Sequence, residues 1–416
     1  MNQKENKVDY LIIGGGIAGT TAAETIRKHD LNGSIIIISD EPYNFYSRLM
    51  LSKPAVYLGK QTFDSLTLRK DEWYAKSRIT LIAGKKAVEL DKSAKVVTLE
   101  DSTRLNYGKL LLAIGLAPNK LAFSESDKPG VFYIRNRDDA EGVSRWIPKA
   151  GGNAIVIGGG FIGLEMCEIL HQAGIDVTIL IREHYFWEPL LDEISGRLIE
   201  KALTQNHINV KLETSASGIV GADAVEQVVL SDRQRLSCGM VVIGIGASVP
   251  MLWIKEAGLD TNRGILANEF LETSESDIWA AGDAAEYKDV VLSETVQLGN
   301  WANAQEQGRR AGLNMVGERD AFRFVSFYNT SAFGVSIAFV GDVRLGEGKS
   351  VVARGDGKDG TYGRVIIKDG EVVGATLINR LSEMASLRHI IERDVKVGGK
   401  EKELADPKFD LKLLLD

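Results

Sequence analysis

An α/β chain with two Rossmann-like dinucleotide-binding folds and a C-terminal α/β region is what three features of this 416-residue sequence predict. The stretch VDYLIIGGGIAGTTAAETIRKH, from Val8, reads as a strand, a glycine turn and a helix in succession. NAIVIGGGFIGLEMCEILHQAG, from Asn153, repeats that succession. GRVIIKDGEVVGATLIN, from Gly363, instead alternates apolar and polar positions around Asp369-Gly370, a two-residue hairpin signal.

Bulk properties bound the reading. The length suggests two or three domains of roughly 150 residues each. A 44% apolar and 26% charged composition is that of an ordinary globular protein, with no low-complexity stretch or long charge block. A net charge of −7 offers no general attraction to nucleic acid or an anionic membrane, so neither is expected as a partner. The first seven residues, MNQKENK, are polar, and the apolar run after them is short and broken by glycines; neither a signal peptide nor a spanning helix is expected. Cys167 and Cys238 are too few and too far apart for a metal knuckle, a redox CxxC or a disulfide framework. They read as structural thiols of a cytoplasmic protein without a metal site.

Val8 to Ile13 is predicted as a buried strand, and Gly14, Gly16 and Gly19 follow in the spacing G-x-G-x-x-G, with Ala18 inside it. Such glycines make a tight turn, let backbone approach a pyrophosphate, and let helix and strand pack closely. The helix start then offers unpaired N–H groups to phosphate. A second strand, Ser34 to Ile38, runs into Asp40-Glu41, where a carboxylate, Glu41, is placed to hold ribose hydroxyls. In the second copy the strand Ala154 to Ile157 leads to Gly158, Gly160, Ile162 and Gly163, and the strand Asp176 to Ile181 runs into Arg182-Glu183. One glycine signature is weak evidence; two in the same strand–helix context, each with an acid at the right distance, imply two dinucleotides. In TSESDIWAAGDAA a strand ends at Gly282-Asp283 just before a polar, helix-prone stretch, where the aspartate can accept a ribityl hydroxyl and the next helix can aim its positive end at a flavin.

With these segments the chain resembles the FAD- and NAD(P)-dependent pyridine nucleotide oxidoreductases of glutathione-reductase-like fold. TSESDIWAAGDAA looks like their second FAD motif, and LLLAIGLAPN (110–119) and VVIGIGASVP (241–250, with Gly246) look like their domain-crossing strands. The resemblance implies a discontinuous FAD-binding domain over 1–117 and 248–325, an NAD(P)H-binding domain over 118–247, and a C-terminal α/β cap over 326–416. Where disulfide-reducing members carry cysteine, this chain has Leu51-Ser52-Lys53, which nearly excludes thiol chemistry. DEPYNFYSRLMLSK is similar to the matching region of cysteine-free ferredoxin and rubredoxin reductases and of apoptosis-inducing-factor-like flavoproteins. In those relatives a lysine by the flavin N5 edge pairs with a glutamate after the second glycine motif, which implies Lys53 and Glu165 here. Arg48 and the Ala87-Val88 backbone match further FAD-contacting positions. A WSD segment of ferredoxin reductases is replaced by Phe327-Tyr328-Asn329, whose aromatics could cover a flavin or fill a core.

The implied function is transfer of hydride from NADH to FAD and then of electrons to a small carrier of rubredoxin or ferredoxin type. Two alternatives stay open: a low-turnover flavoprotein that responds to NADH, and an oxygen-reducing NADH oxidase, which Lys53 disfavours. Glu183, with Glu188 nearby, argues for NADH, whereas Arg182 could clamp the 2′-phosphate of NADPH. An acidic carrier would need a local basic patch, for which Arg388, Arg393, Lys396, Lys400 and Lys402 are candidates, unless they form only a solvated face. A monomer or a homodimer is expected.

Overall fold

The computed structural model describes residues 7–123 and 125–415; of the polar amino-terminal stretch all but Lys7 lies outside the described residues. The chain forms two compact units, the first from residues 1–47, 66–117 and 248–326, the second from 48–65, 118–247 and 327–416.

In the first unit the strand Lys7–Ile13 is central because from Tyr10 onward both its faces are apolar and covered, Leu11 and Ile12 being fully buried. It pairs in parallel with Ile35–Ser39 on one side and Arg104–Leu112 on the other, and Ile79–Ala83 extends the sheet beyond Ile35–Ser39. Parallel neighbours need a crossover, which the helix Ile17–His29 supplies. That helix packs closely on Trp301–Met315: a Cβ at Gly308 would stand 2.2 Å from the Ala18 carbonyl oxygen, so only glycine fits there. Ile278–Ala280 joins in parallel beside the end of Arg104–Leu112. The helix expected directly after Asp283 does not follow. Gly282–Ala284 is a single turn, Ala285–Asp289 is a strand paired with Ile265–Ala267, and the helix opens only at Trp301 behind the Asn300 cap. Burial of Tyr287 and Asp289 draws that segment into a sheet instead.

In the second unit five parallel strands run in the order Asn209–Lys211, Asp176–Leu180, Asn153–Ile157, Val241–Ile243, Val131–Tyr133. The helix Phe161–Gln172 crosses from the central strand. The expected continuous segment 241–250 is interrupted, since its strand ends at Ile243 and Gly246 turns with φ +93°. Its counterpart in the first unit likewise ends at Leu112, with Gly115 at φ +66°. An antiparallel sheet of five strands, Phe327–Ala332, Val335–Gly341, Glu371–Ile378, Tyr362–Lys368 and Lys349–Arg354, carries the helix Met384–Glu392. Asp369 and Gly370 make its hairpin, with φ of +52° and +78°, as a two-residue turn of this hand requires. Phe339, Ile366 and Ile378 of this sheet share one core with Leu164, Met166 and Cys167 of the helix Phe161–Gln172. Each such fully buried aliphatic contributes roughly 1.5–3 kcal/mol.

Two buried charges are wholly partnered in the antiparallel sheet. Arg354, 1% exposed, forks onto Glu383 at 2.8 and 3.0 Å and donates to the carbonyls of Leu404 (3.0 Å) and Phe409 (2.7 Å). Asp342, also 1% exposed, accepts from Arg344 and Lys349 at 2.7 Å each; burial raises its carboxyl, and those donors outweigh it, holding the pKa at about 2.

Candidate functional site

The two glycine turns repeat each other atom for atom in their constraints. Gly14 has φ +123°, and a Cβ there would meet the Ala113 carbonyl oxygen at 2.1 Å; Gly158 has φ +111°, and its Cβ would meet Gly244 O at 2.3 Å. The last glycines are just as confined, a Cβ at Gly19 lying 2.0 Å from Gly14 O and one at Gly163 1.9 Å from Gly158 O. The middle glycines differ: nothing lies within 4 Å of a Cβ at Gly16 or Gly160. Each is also the N-cap of its helix with no side chain capping it. The first N–H groups of both helices therefore open onto free space, the arrangement that receives a phosphate.

A cavity of about 730 Å³ lies beside the first turn, lined by Gly14, Ile38, Asp40, Lys85, Val88 and Val249. Its size and mostly apolar wall suit an adenosine, so the residues present fit a dinucleotide. Val88, expected from sequence, is on the wall; Ala18 is buried behind the turn against Gly308. Glu41 is 7% exposed and accepts from the Tyr46 hydroxyl at 2.5 Å, while its neighbour Asp40 lines the cavity. Gly282 turns with φ +78° and donates its N–H to Gln307 Oε1 at 2.8 Å, and Gln297 Nε2 donates to the Asp283 carbonyl at 2.9 Å. The glutamines thus hold the backbone of this turn, and sequence spacing gave no sign of them.

In the second unit, Glu183 stands just past the strand Asp176–Leu180 and accepts from Arg182 Nε at 2.7 Å, so the arginine is turned onto the acid. Exposed His184 follows, with Glu188 at 3.1 Å and Glu213 at 3.8 Å; the Glu188 carboxylate, then Glu213, raises its pKa. Ile162 is half-buried in the first turn of the helix Phe161–Gln172, and Gly246 O accepts from Asn119 N at 2.9 Å. Arg48 donates to the Arg135 carbonyl at 3.0 Å.

Lys53 and Glu165, 112 residues apart, are brought together: Lys53 Nζ bonds Glu165 Oε1. Two further donors complete the carboxylate, Thr330 Oγ1 on Oε1 and Ser52 Oγ on Oε2. Thr330 is 165 residues from Glu165, and no local pattern could have pointed to it. Ser52 lies within the LSK tripeptide, next to the lysine that stands in the cysteine position. The aromatic alternative resolves toward the core for Tyr328, which stacks on Phe339 (centroids 4.8 Å, 11°) and meets Phe161 at 4.9 Å; burial pushes its phenol up. Phe161 also packs edge-on to Trp187 at 4.1 Å. Both cysteines are unpaired and buried. Burial pushes the Cys167 thiol up and Cys238 up to about 12, so neither is a thiolate at neutral pH. Among the described residues no helix is long and apolar enough to cross a membrane.

Two open glycine turns, one in each unit, are the equipment of an α/β protein for two dinucleotides. The chain belongs to the pyridine nucleotide-disulphide oxidoreductase family, whose model matches residues 8–308; a reductase C-terminal model matches residues 330–415. It is similar to rhodocoxin reductase of Rhodococcus erythropolis, 29% identical over 409 residues that cover 98% of this chain and 94% of the relative. NADH-rubredoxin oxidoreductase of Clostridium acetobutylicum is 30% identical over 384 residues, 92% and 94% of the two chains. Nitrite reductase [NAD(P)H] of Bacillus subtilis is 29% identical over 398 residues, 94% of this chain but 48% of the relative, so the chain spans about half the length of that relative. Among solved structures, the covalent putidaredoxin reductase–putidaredoxin complex superposes with a TM-score of 0.90 at 26% identity, over 98% of both chains.

Proposed function

We propose that the chain is an FAD-dependent NAD(P)H oxidoreductase that hands electrons to a small redox protein of rubredoxin or ferredoxin type. The observation that carries the reading is the pair of matching glycine turns in a chain whose only thiols are buried and whose LSK turn offers Lys53, paired with Glu165. Bound FAD supplies the redox chemistry, taking hydride from the nicotinamide and releasing electrons singly. The chain's part is to bind and orient. The open N–H groups beyond Gly16 and Gly160 receive the pyrophosphates, with Gly14, Gly19, Gly158 and Gly163 closing the turns. Val88 and its neighbours enclose adenosine; the family resemblance assigns Glu41 to ribose and Gly282, Asp283 and Arg48 to the remainder of the flavin nucleotide. Glu183, with Ile162 and Gly246 backbone nearby, binds the second nucleotide as NADH, because a carboxylate accepts from a 2′-hydroxyl and repels a 2′-phosphate. Lys53 places a cation where electron density arrives, and Glu165 orients it.

The domains proposed for these roles are 1–117 with 248–325 for FAD, 118–247 for NAD(P)H and 326–416 as a C-terminal cap. The sheet that carries each glycine turn and the antiparallel sheet beginning at Phe327 support that division, the last sharing a core with the helix Phe161–Gln172. The candidate basic patch for an acidic carrier is exposed Arg393, Lys396, Lys400 and Lys402 with half-buried Arg388, a solvated face being the alternative; Lys396 is shared with Glu371 at 2.7 Å and Arg388 lies over the Phe327 ring at 5.0 Å. The protein works in the cytoplasm, as monomer or homodimer; two unpaired buried cysteines support that compartment. The test is to mix purified protein with NADH and a panel of carriers. Turnover with rubredoxin or ferredoxin, falling with salt and kept in a Cys167→Ser, Cys238→Ser double variant, is expected. Reduction of disulfides alone refutes the reading; reoxidation that is slow with every acceptor identifies an NADH-responsive flavoprotein instead.

A further inference from the structure

Glu165 is 7% exposed, yet it takes donors from three stretches of chain, Ser52 on one oxygen and Lys53 and Thr330 on the other. Ser52 and Thr330 are themselves buried, at 8% and 3% exposure. An ionised carboxylate only accepts, so both hydroxyls turn their protons to it. Thr330 Oγ1 also stands 3.5 Å from Lys53 Nζ, which places its lone pairs on the ammonium side.

The backbone makes this arrangement rigid. Tyr57 braces the LSK turn by donating to the Leu51 carbonyl at 2.6 Å. Thr330 is fixed in level by its pairing opposite Ile337 in the antiparallel sheet. Phe333 N donates to Glu168 Oε1 at 2.8 Å, tying the end of the Thr330 strand to the helix that carries Glu165. One ammonium N–H fills one of the carboxylate's roughly four acceptor sites, so a buried Glu165 needs further donors, and the hydroxyls that supply them also decide how much of its charge is left for Lys53. Shared among three donors, the carboxylate's charge is drawn away from Lys53, and more of the ammonium's positive field remains on its open side.

We propose that Ser52 and Thr330 are positioning residues that set the strength and direction of the Lys53 charge by sharing the Glu165 carboxylate with it. The proposal rests on the reading that Lys53 faces the flavin. It makes the flavin's ease of reduction depend on two hydroxyls that need not touch the cofactor.

The experiment compares Thr330→Val, Ser52→Ala, Thr330→Ser and Lys53→Met, and a Thr330→Val, Lys53→Met double variant, in the FAD-loaded protein. Flavin midpoint potential and the stopped-flow rate of reduction by NADH are both measured. Thr330→Val is expected to slow reduction about fivefold and to lower the two-electron potential by about 20 mV, the equivalent of fivefold at about 30 mV per tenfold. Ser52→Ala moves both quantities the same way, and Thr330→Ser restores them. In the Lys53→Met background Thr330→Val adds nothing. The proposal is overturned if Lys53→Met shifts potential and rate while Thr330→Val and Ser52→Ala do not, or if Thr330→Val has its full effect without Lys53. If Lys53→Met itself changes neither, the placement of Lys53 at the flavin is wrong and the proposal goes with it.

Discussion

Three alanine substitutions within a single turn should separate folding from nucleotide binding. At Gly163 a methyl would lie 1.9 Å from Gly158 O, backbone that cannot rotate aside, so Gly163→Ala costs about 3 kcal/mol, the upper end for overpacking. Gly158→Ala meets Gly244 O at 2.3 Å and must also hold φ +111°. Strain of about 1–3 kcal/mol adds to a clash of about 3 kcal/mol, for a total of about 4–6 kcal/mol. Gly160→Ala meets nothing within 4 Å and should lose only the small preference of an N-cap for glycine over alanine, about 0.5–1 kcal/mol. Its methyl would instead fill the space in front of the helix N–H groups. Losing one charge-assisted hydrogen bond to a phosphate, about 1.5–3 kcal/mol, raises the KM for NADH ten- to a hundredfold. Urea midpoints and NADH KM, measured on all three variants, decide the matter. A Gly160→Ala protein as unstable as Gly163→Ala, or one that binds NADH normally, would refute the assignment of this turn.

Three further outcomes are expected. Lys53→Met should slow flavin reduction by NADH while leaving FAD bound, because the charge matters more to the reduced state than to occupancy; unchanged stopped-flow traces and potential would reduce Lys53 to a surface residue. NADH should exceed NADPH in kcat/KM, with Arg182 turned onto Glu183, and a tenfold ratio in favour of NADPH overturns this. Asp342, held at about 2 against an ordinary 3.8, contributes stability that is full above about pH 4 and is lost as pH falls through 2. The stability gap between wild type and Asp342→Asn in urea should therefore narrow by roughly 2 kcal/mol between pH 5 and pH 2, and a gap independent of pH rejects the ion-pair account.

The parts of this molecule that announce themselves in sequence are those whose physics is local. The glycine turns, the strands before them and the Asp369-Gly370 hairpin depend on backbone conformations that few residues other than glycine and its turn partners adopt, so composition and spacing sufficed. The Lys53–Glu165 contact was reached through family resemblance rather than from pattern, since 112 residues separate the two. Thr330 and Gln307 were invisible because each is polar, buried and joined to the site by tertiary packing alone. The helix misplaced after Asp283 shows the converse limit: a polar, helix-prone stretch became a strand because Tyr287 and Asp289 were needed inside a sheet. Tyr328 could have gone either way until its stacking on Phe339 settled where the ring lies.

The Arg354 guanidinium has a consequence for how this part of the chain breaks. It gathers Glu383 and the carbonyls of Leu404 and Phe409 around one interior charge, so the stretch from 404 to 409 is held by bonds made inside the unit rather than by the chain leading to it. The exposed run from Arg393 to Lys402, broken only by half-buried Val395 and buried Val397, is rich in lysine and arginine, which trypsin cuts. A cut there would sever the backbone yet release nothing: the two pieces would travel together through a sizing column and part only in denaturant. Losing the piece would strip the buried guanidinium of the Leu404 and Phe409 carbonyls and leave it Glu383 alone, at a cost of about 1–3 kcal/mol for each donor left unsatisfied. Clipping in this region is thus invisible to any assay that does not first unfold the protein.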